Sequence, residues 1–183
     1  MQISVLLRNS AAVNASGPVQ YLCLGSFSPA VWKAPPVSLG GYQGSTKGSD
    51  PMVLWMAHAP APHSDGKQSA RDLYRLGRHR LYTMPFATFE EEIKKQLTAM
   101  FGAKGFDADR DIEAITVNRW THGYAYEYMN LYDPDWEEGQ APHELGRKPI
   151  GRISIANSDS EALAYLQAAI DAADRAVNER LAE

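Results

Sequence analysis

One cysteine, Cys23, is all that 183 residues provide, so no internal disulfide can staple the fold and cysteine usage does not fix the redox compartment. Long apolar runs are missing as well. No stretch approaches the roughly 20 apolar residues that a bilayer-spanning helix requires. The opening run Ile3 to Leu7 is too short for a signal-peptide core and meets Arg8 and Asn9 at once. These residues therefore predict no membrane partner and no export signal, and leave the location unknown. Charge of one sign is scarce too: the net charge is −4, which gives no reason to expect nucleic acid. The one basic cluster, Arg71, Arg75, Arg78 and Arg80, falls on a predicted helix, where a solvated face accounts for it. With 44% apolar and 22% charged residues, the chain has ordinary globular usage and enough length for a sizeable core.

A dinucleotide fingerprint is also lacking. Gly40-Gly41-Tyr42-Gln43-Gly44 has the wrong spacing and runs into loop, while Gly146 to Arg152 lacks the middle glycine and is followed by a predicted strand. Other motifs fail on context. Ser64 to Lys67 matches S-x-x-K but sits in a Pro/Gly loop without the companion motifs of serine acyl-enzymes. His58 and His63 find no third ligand, so no metal is expected. Asn14-Ala15-Ser16 is a formal glycosylation sequon of a length that recurs by chance.

Periodicity predicts strands over 2–8, 20–24, 52–58 and 112–120, and helices over 69–81 and 88–101. The second helix opens on a Thr88-to-Glu91 capping box and closes at Gly102 to Gly105. Near the C-terminus, Arg152 to Ala156 reads as a brief buried strand. The cap-forming run Asn157-Ser158-Asp159-Ser160 follows, with Ser158 and Glu161 spaced as a capping box. Leu163, Leu166, Ile170, Ala173, Val177 and Leu181 then recur at helical spacing among many alanines, predicting a helix able to pack closely on a sheet or a ligand. Six aromatic residues crowd the stretch from Trp120 to Trp136, including Tyr124, Tyr126 and Tyr128. They suit either a water-excluding wall that holds a protonated amine or an ordinary packed strand pair.

The C-terminal run of strand, Ala156-Asn157-Ser158-Asp159-Ser160 turn and Tyr165-to-Ile170 helix start resembles the closing signature of flavin-dependent amine oxidases. Together with Ile115 to Tyr128, Gln2 to Asn9 and Val37 to Gln43, it is most similar to the bacterial spermidine dehydrogenase-like branch. The resemblance implies an α+β fold with a mixed sheet and three main helices. Residues 1–150 would be substrate-domain-like, and 151–183 would be the last strand and helix of an FAD domain whose Rossmann half is absent. It implies FAD as cofactor, with Trp120, Gly123, Tyr124, Asn157, Ser158, Asp159, Ser160 and Tyr165 as cofactor-binding residues. Asp159 would face a ribityl hydroxyl, because a carboxylate repels phosphate. The Asn157-Ser158 backbone and the last helix's N-terminus would meet the ring edge. Asn157 stands where relatives have glycine, which a left-handed backbone tolerates. Tyr126 and Tyr128 would contact an amine substrate, with Glu127, Asp133 and Asp135 as nearby negative charges. His122 would serve as a base or as a hydrogen-bond donor.

The implied function is the C-terminal portion of an FAD-dependent amine oxidoreductase, incomplete and inactive alone. A complementary FAD-domain polypeptide or self-association would cover its exposed apolar faces, and relatives of this kind are often exported. The alternative is a stand-alone α+β binding or interaction module without redox activity.

Overall fold

The computed structural model describes residues 1–44, 47–60, 66–120, 123–128, 131 and 133–182. They form two compact units, 1–121 and 122–183; position 150, the boundary expected from sequence, falls inside the second. Among the described residues, no helix is long and apolar enough to cross a membrane.

The first unit is an α+β layer. Strands β1 (Gln2–Leu7), β2 (Gln20–Leu22), β3 (Ala30–Lys33), β4 (Met52–Ala57) and β5 (Ile112–Asn118) form one sheet in the order β2-β3-β4-β1-β5. Every pairing is antiparallel, so the expected mixed sheet is corrected to an antiparallel one. β3 was not foreseen, because four residues shortly after Pro29 and just before Ala34-Pro35 are too few to show a period.

Alternation in β1 turns Ile3, Val5 and Leu7 to one face, where all three are fully buried. Helix α3 (Phe86–Phe101) lies against them, presenting Phe89, Ile93, Leu97 and Phe101, every fourth residue and all fully buried. Each of these side chains contributes about 1.5–3 kcal/mol by leaving water. α3 begins two residues before the expected Thr88 box. Pro85, with its φ fixed at −63°, sets the N-cap, so Thr88 is already inside the helix and the box does not form. Gly105 ends the following 3-10 turn at φ 90°, a region that glycine enters without penalty.

Before α3 come the short helix α1 (Ala11–Asn14) and helix α2 (Ala70–Thr83). Ser69 caps α2 by accepting the Asp72 N–H. At its far end the Arg119 guanidinium donates to the carbonyls of Tyr82 at 2.7 Å and Met84 at 2.8 Å, satisfying groups that the helix leaves without partners. Arg71, Arg75 and Arg80 are exposed, as a solvated basic face requires. The short helix α4 (Ala108–Asp111) leads into β5, capped by the Asp107 carboxylate.

One buried polar pair ties α3 to the loop before β3. The Gln96 amide donates to the Ser28 carbonyl at 2.8 Å and accepts the Ser28 N–H at 2.8 Å. Beside it, His58 stacks on Phe27 at 4.0 Å and its Nδ1 bonds the Phe27 carbonyl. Burial pushes the His58 imidazole below its usual range, opposed in part by the Phe27 bond and aided by the Arg80 charge. The depressed value means that the unfolded chain binds the proton more readily. Stability from His58 is therefore complete above its unfolded value of about 6.5 and is lost as pH falls through the lower folded value. Urea midpoints measured from about pH 7.5 down to 5 should fall across that window, and His58→Phe should flatten the fall. An unchanged slope in the variant would contradict the assignment.

The second unit has helix α5 (Pro142–Gly146), a 3-10 turn over Ser158–Glu161 and helix α6 (Leu166–Leu181). The buried strand expected over 152–156 is absent. Gly151, at φ 55°, folds the chain back so that Ile150 and Ile153 bridge one another, and Ile153 is 65% exposed. Among the described residues of this unit, no neighbouring strand offers the segment a ladder. α6 buries Ala168 and Ala172 against its own unit and turns Leu166, Ile170, Val177 and Leu181 outward.

Candidate functional site

The turn expected at 157–160 is present, with a different internal wiring. Asn157 rather than Ser158 is the cap: its side chain accepts the Ser160 N–H at 2.9 Å, while the Ser160 hydroxyl donates to the Asn157 carbonyl at 2.7 Å. Asn157 is extended, so its replacement of glycine carries no left-handed demand; that conformation belongs to Ala162, at φ 48°. Ala162 closes the turn, and the chain runs on through Leu163 to Tyr165 before α6 begins. The turn therefore does not run directly into α6, which corrects the expected continuity of turn and helix. Tyr165, the residue before α6, is exposed and its carbonyl accepts the Ala169 N–H.

Two arginines hold the turn. Arg147, just after α5, donates to the Ser160 carbonyl at 3.2 Å and to Glu161 at 2.5 Å. Arg175, on α6, reaches Glu161 at 3.3 Å, Glu179 at 2.5 Å and the Ile155 carbonyl at 2.7 Å. Arg147 and Glu161 are 24% and 21% exposed, so their pairing is partly sheltered from solvent screening.

This wiring sorts the expected cofactor residues. Asn157 and Ser160 spend their side chains on the turn, and Ser160 is buried. Ser158 and Asp159 line an open cleft of about 770 Å³ whose other wall is Gly123, Tyr124, Ala125 and Tyr126. The Tyr128 N–H, bonded to the Ala162 carbonyl at 3.4 Å, draws the aromatic segment to the turn. Trp120 belongs to the first unit and is exposed, while His122, together with Thr121 and Tyr132, lies outside the described residues.

The tyrosines are oriented by acids. Tyr126 donates to Asp133, which raises its hydroxyl above the ordinary tyrosine value; Tyr128 donates to the Pro134 carbonyl at 3.0 Å and is raised by burial and by Asp135. Asp133 is thus engaged by Tyr126 rather than held for a substrate alone.

The cleft offers hydrogen-bond donors, an acceptor and aromatic faces. As the first residues of a 3-10 turn, Ser158 and Asp159 have N–H groups with no acceptor inside the turn, and the exposed Asp159 carboxylate can accept from hydroxyls. Tyr124 and Tyr126 offer aromatic faces, and a Cβ at Gly123 would meet only open space. Among the described residues, neither arginine nor lysine lines it, so no side-chain cation there would pair with an anionic pyrophosphate. Among the described residues, no group of acidic, histidine and cysteine side chains could hold a metal ion.

A second cleft, of about 460 Å³, lies in the first unit on the sheet face away from α3. Trp32 and Trp55 are cross-strand partners there, beside Gln2, Pro35 and Ala57. Sequence reasoning passed over both tryptophans. β4 alternation places Trp55 opposite Leu54 and Met56, but pairing it with Trp32 required the unforeseen β3. No family model matches this chain, and no curated protein matches it.

Proposed function

We propose that the chain is the C-terminal portion of an FAD-dependent amine oxidoreductase of the spermidine dehydrogenase-like kind, incomplete and inactive alone. One observation carries the reading. Of the residues that the resemblance assigns to the flavin, Gly123 and Tyr124 on one side and Ser158 and Asp159, more than thirty residues further on, line one cleft, with the substrate candidate Tyr126 beside them. Ser158, Asp159, Gly123 and Tyr124 would hold the flavin, with Asp159 accepting from a ribityl hydroxyl and the Ser158 and Asp159 N–H groups facing acceptors on the ring edge. When bound, FAD supplies the electron sink that accepts a hydride from the carbon beside a neutral amine.

The chain's own residues bind and orient. Tyr126 and Tyr128, fixed through Asp133 and the Pro134 carbonyl, present rings that exclude water and attract an ammonium group by about 0.5–2 kcal/mol per good contact. With no cation among the described residues of its lining, the cleft leaves the pyrophosphate to a dinucleotide-binding part supplied elsewhere, which is why the chain alone should bind FAD weakly and show no amine-dependent bleaching.

Titrating FAD with the chain and following flavin fluorescence tests this. Quenching should saturate with a Kd of about 0.1–1 mM, and Asp159→Asn or Tyr124→Ala should weaken it roughly tenfold. Quenching indifferent to both substitutions would overturn the assignment, and tight stoichiometric uptake with amine-dependent bleaching would overturn the incompleteness. The second reading, a stand-alone binding module without redox activity, draws on the self-contained core of the first unit and its Trp32–Trp55 cleft.

A further inference from the structure

The sheet face turned away from α3 carries two tryptophans among neutral polar groups. Because partners in a ladder share a face, the register sets Gln20, Trp32, Trp55, Ser4 and Thr116 in one row across all five strands. The neighbouring row brings Ala57, Gln2 and Asn118 together. Two indoles thus lie side by side near the middle of the sheet, with hydroxyl and amide groups beyond them. Trp55 is 39% exposed, and Gln2, Thr116 and Asn118 are exposed as well. Among the described residues, the side chains of Gln2, Ser4, Thr116 and Asn118 form no hydrogen bond within the chain, which leaves all four open to a ligand.

The chemistry of these rows says what fits them. They hold flat aromatic surface and neutral donors and acceptors, and no charge of either sign. Lys33, at the rim of the cleft, spends its ammonium on the Gly17 carbonyl at 3.3 Å. A phosphorylated or carboxylated ligand would therefore lack a cation in the rows, and an amine would lack a carboxylate. An added peptide strand would pair at a sheet edge and not on its face. A sugar uses what is present. Its slightly positive C–H groups lie on the negative face of an indole, and its hydroxyls exchange hydrogen bonds with amides and hydroxyls that both donate and accept. From Trp32 to Thr116 the row crosses three strand spacings, about 14 Å, which is longer than one sugar ring. The cleft of about 460 Å³ at the two indoles is of ordinary size for a ligand pocket. A straight row on an open sheet suits an extended chain of equatorially linked pyranose rings, which is a flat ribbon.

We propose that the Trp32–Trp55 face binds a neutral oligosaccharide of equatorially linked pyranose rings, stacked on the two indoles and hydrogen-bonded by Gln2, Ser4, Thr116 and Asn118. The site lies wholly in the first unit and stands whether or not the chain binds flavin; it names a ligand class for the cleft on which the second reading draws.

Isothermal calorimetry of the 183-residue chain with cellotetraose and with chitotetraose should give a Kd of about 0.05–1 mM for at least one of them. Trp32→Ala and Trp55→Ala should each weaken it at least about tenfold and Thr116→Val about threefold, while Trp120→Ala leaves it unchanged. Sodium chloride at about 0.5 M should not alter the Kd, because neither the ligand nor the rows carry charge. A second readout needs no variant that could misfold. In the nitrogen-labelled chain, the indole N–H resonances of Trp32 and Trp55 should shift on saturation with the sugar, and those of Trp120 and Trp136 should stay. No binding of either sugar at about 10 mM, binding that survives both alanine substitutions, or shifts at the same two indoles with spermidine binding tighter than either sugar would overturn the proposal.

Discussion

Phe89→Ala is expected to destabilise the first unit by about 3–5 kcal/mol, the range for deleting a fully buried aromatic side chain. Phe89 is fully buried near the start of α3, with its ring 5.7 Å from Phe27 and 6.0 Å from His58, edge to face in both cases. The Arg119 guanidinium lies 5.4 Å from its centroid while capping the end of α2. Truncation therefore does three things together. It opens a cavity between α3 and the sheet, removes the edge partner that holds the Phe27–His58 stack, and frees Arg119 to leave the carbonyls of Tyr82 and Met84. Against a typical total of about 5–15 kcal/mol, such a loss is a large share of the whole. Urea unfolding followed by tryptophan fluorescence should show a midpoint far below that of the unaltered chain, while Phe89→Leu should lose roughly a third as much. A loss under about 1 kcal/mol would mean that the cluster does not organise this core.

In the second unit the largest effect is expected from Arg175→Met. That guanidinium joins Glu161, Glu179 and the Ile155 carbonyl, so it ties the 3-10 turn and the segment before it to α6. Methionine fills similar volume and makes none of these bonds, leaving two sheltered carboxylates without their shared cation. The cost should be about 2–4 kcal/mol, below that of a fully buried pair because the side chain keeps 23% exposure. The effect should also be local. Hydrogen exchange at the amides of Ser160 and Ala162 should accelerate by roughly 30-fold or more, since each 1.4 kcal/mol is a factor of ten in the opening equilibrium. Exchange rates in β1 and α3 should stay as they were. Acceleration confined to the last turn of α6 would show that Arg147 alone holds the turn.

What sequence revealed and what it hid divide along a physical line. β1, β4, β5 and α3 were legible because each packs one face against the sheet-helix core of its own unit, so hydrophobic period and burial agree. α2, with Tyr74, Leu76 and Tyr82 exposed, was legible instead from its Ser69 cap and leucine spacing. Ile3, Val5 and Leu7 show a period of two, and Phe89 to Phe101 a period near four. The segment 152–156 misled because Ile153 and Ile155 alternate as in a buried strand, while strand formation depends on a neighbour that composition cannot supply. The single left-handed residue at Gly151 was enough to turn it into a bridge. α6 was legible as a helix but not in its orientation: its alanines, read as filler, are the docked side, and the large residues that define its period face outward.

The site was half legible. A cap-forming run at 157–160 and aromatic crowding after 120 marked the two walls of the cleft. Which side chains would be consumed in wiring the turn was decided by Asn157 and Ser160 bonding one another, leaving Ser158 and Asp159 to face the cleft. The Arg147–Glu161–Arg175 network was missed because its members stand fourteen residues apart on different elements, a spacing with no sequence signature.

Amide hydrogen exchange of the chain with and without FAD at about 1 mM, near the upper end of the expected Kd, tests the flavin assignment most directly. Protection should appear together at residues 123–126 and 158–161 and nowhere else, and should vanish in Asp159→Asn. Protection centred on Trp32 and Trp55, or none at either segment, would contradict it.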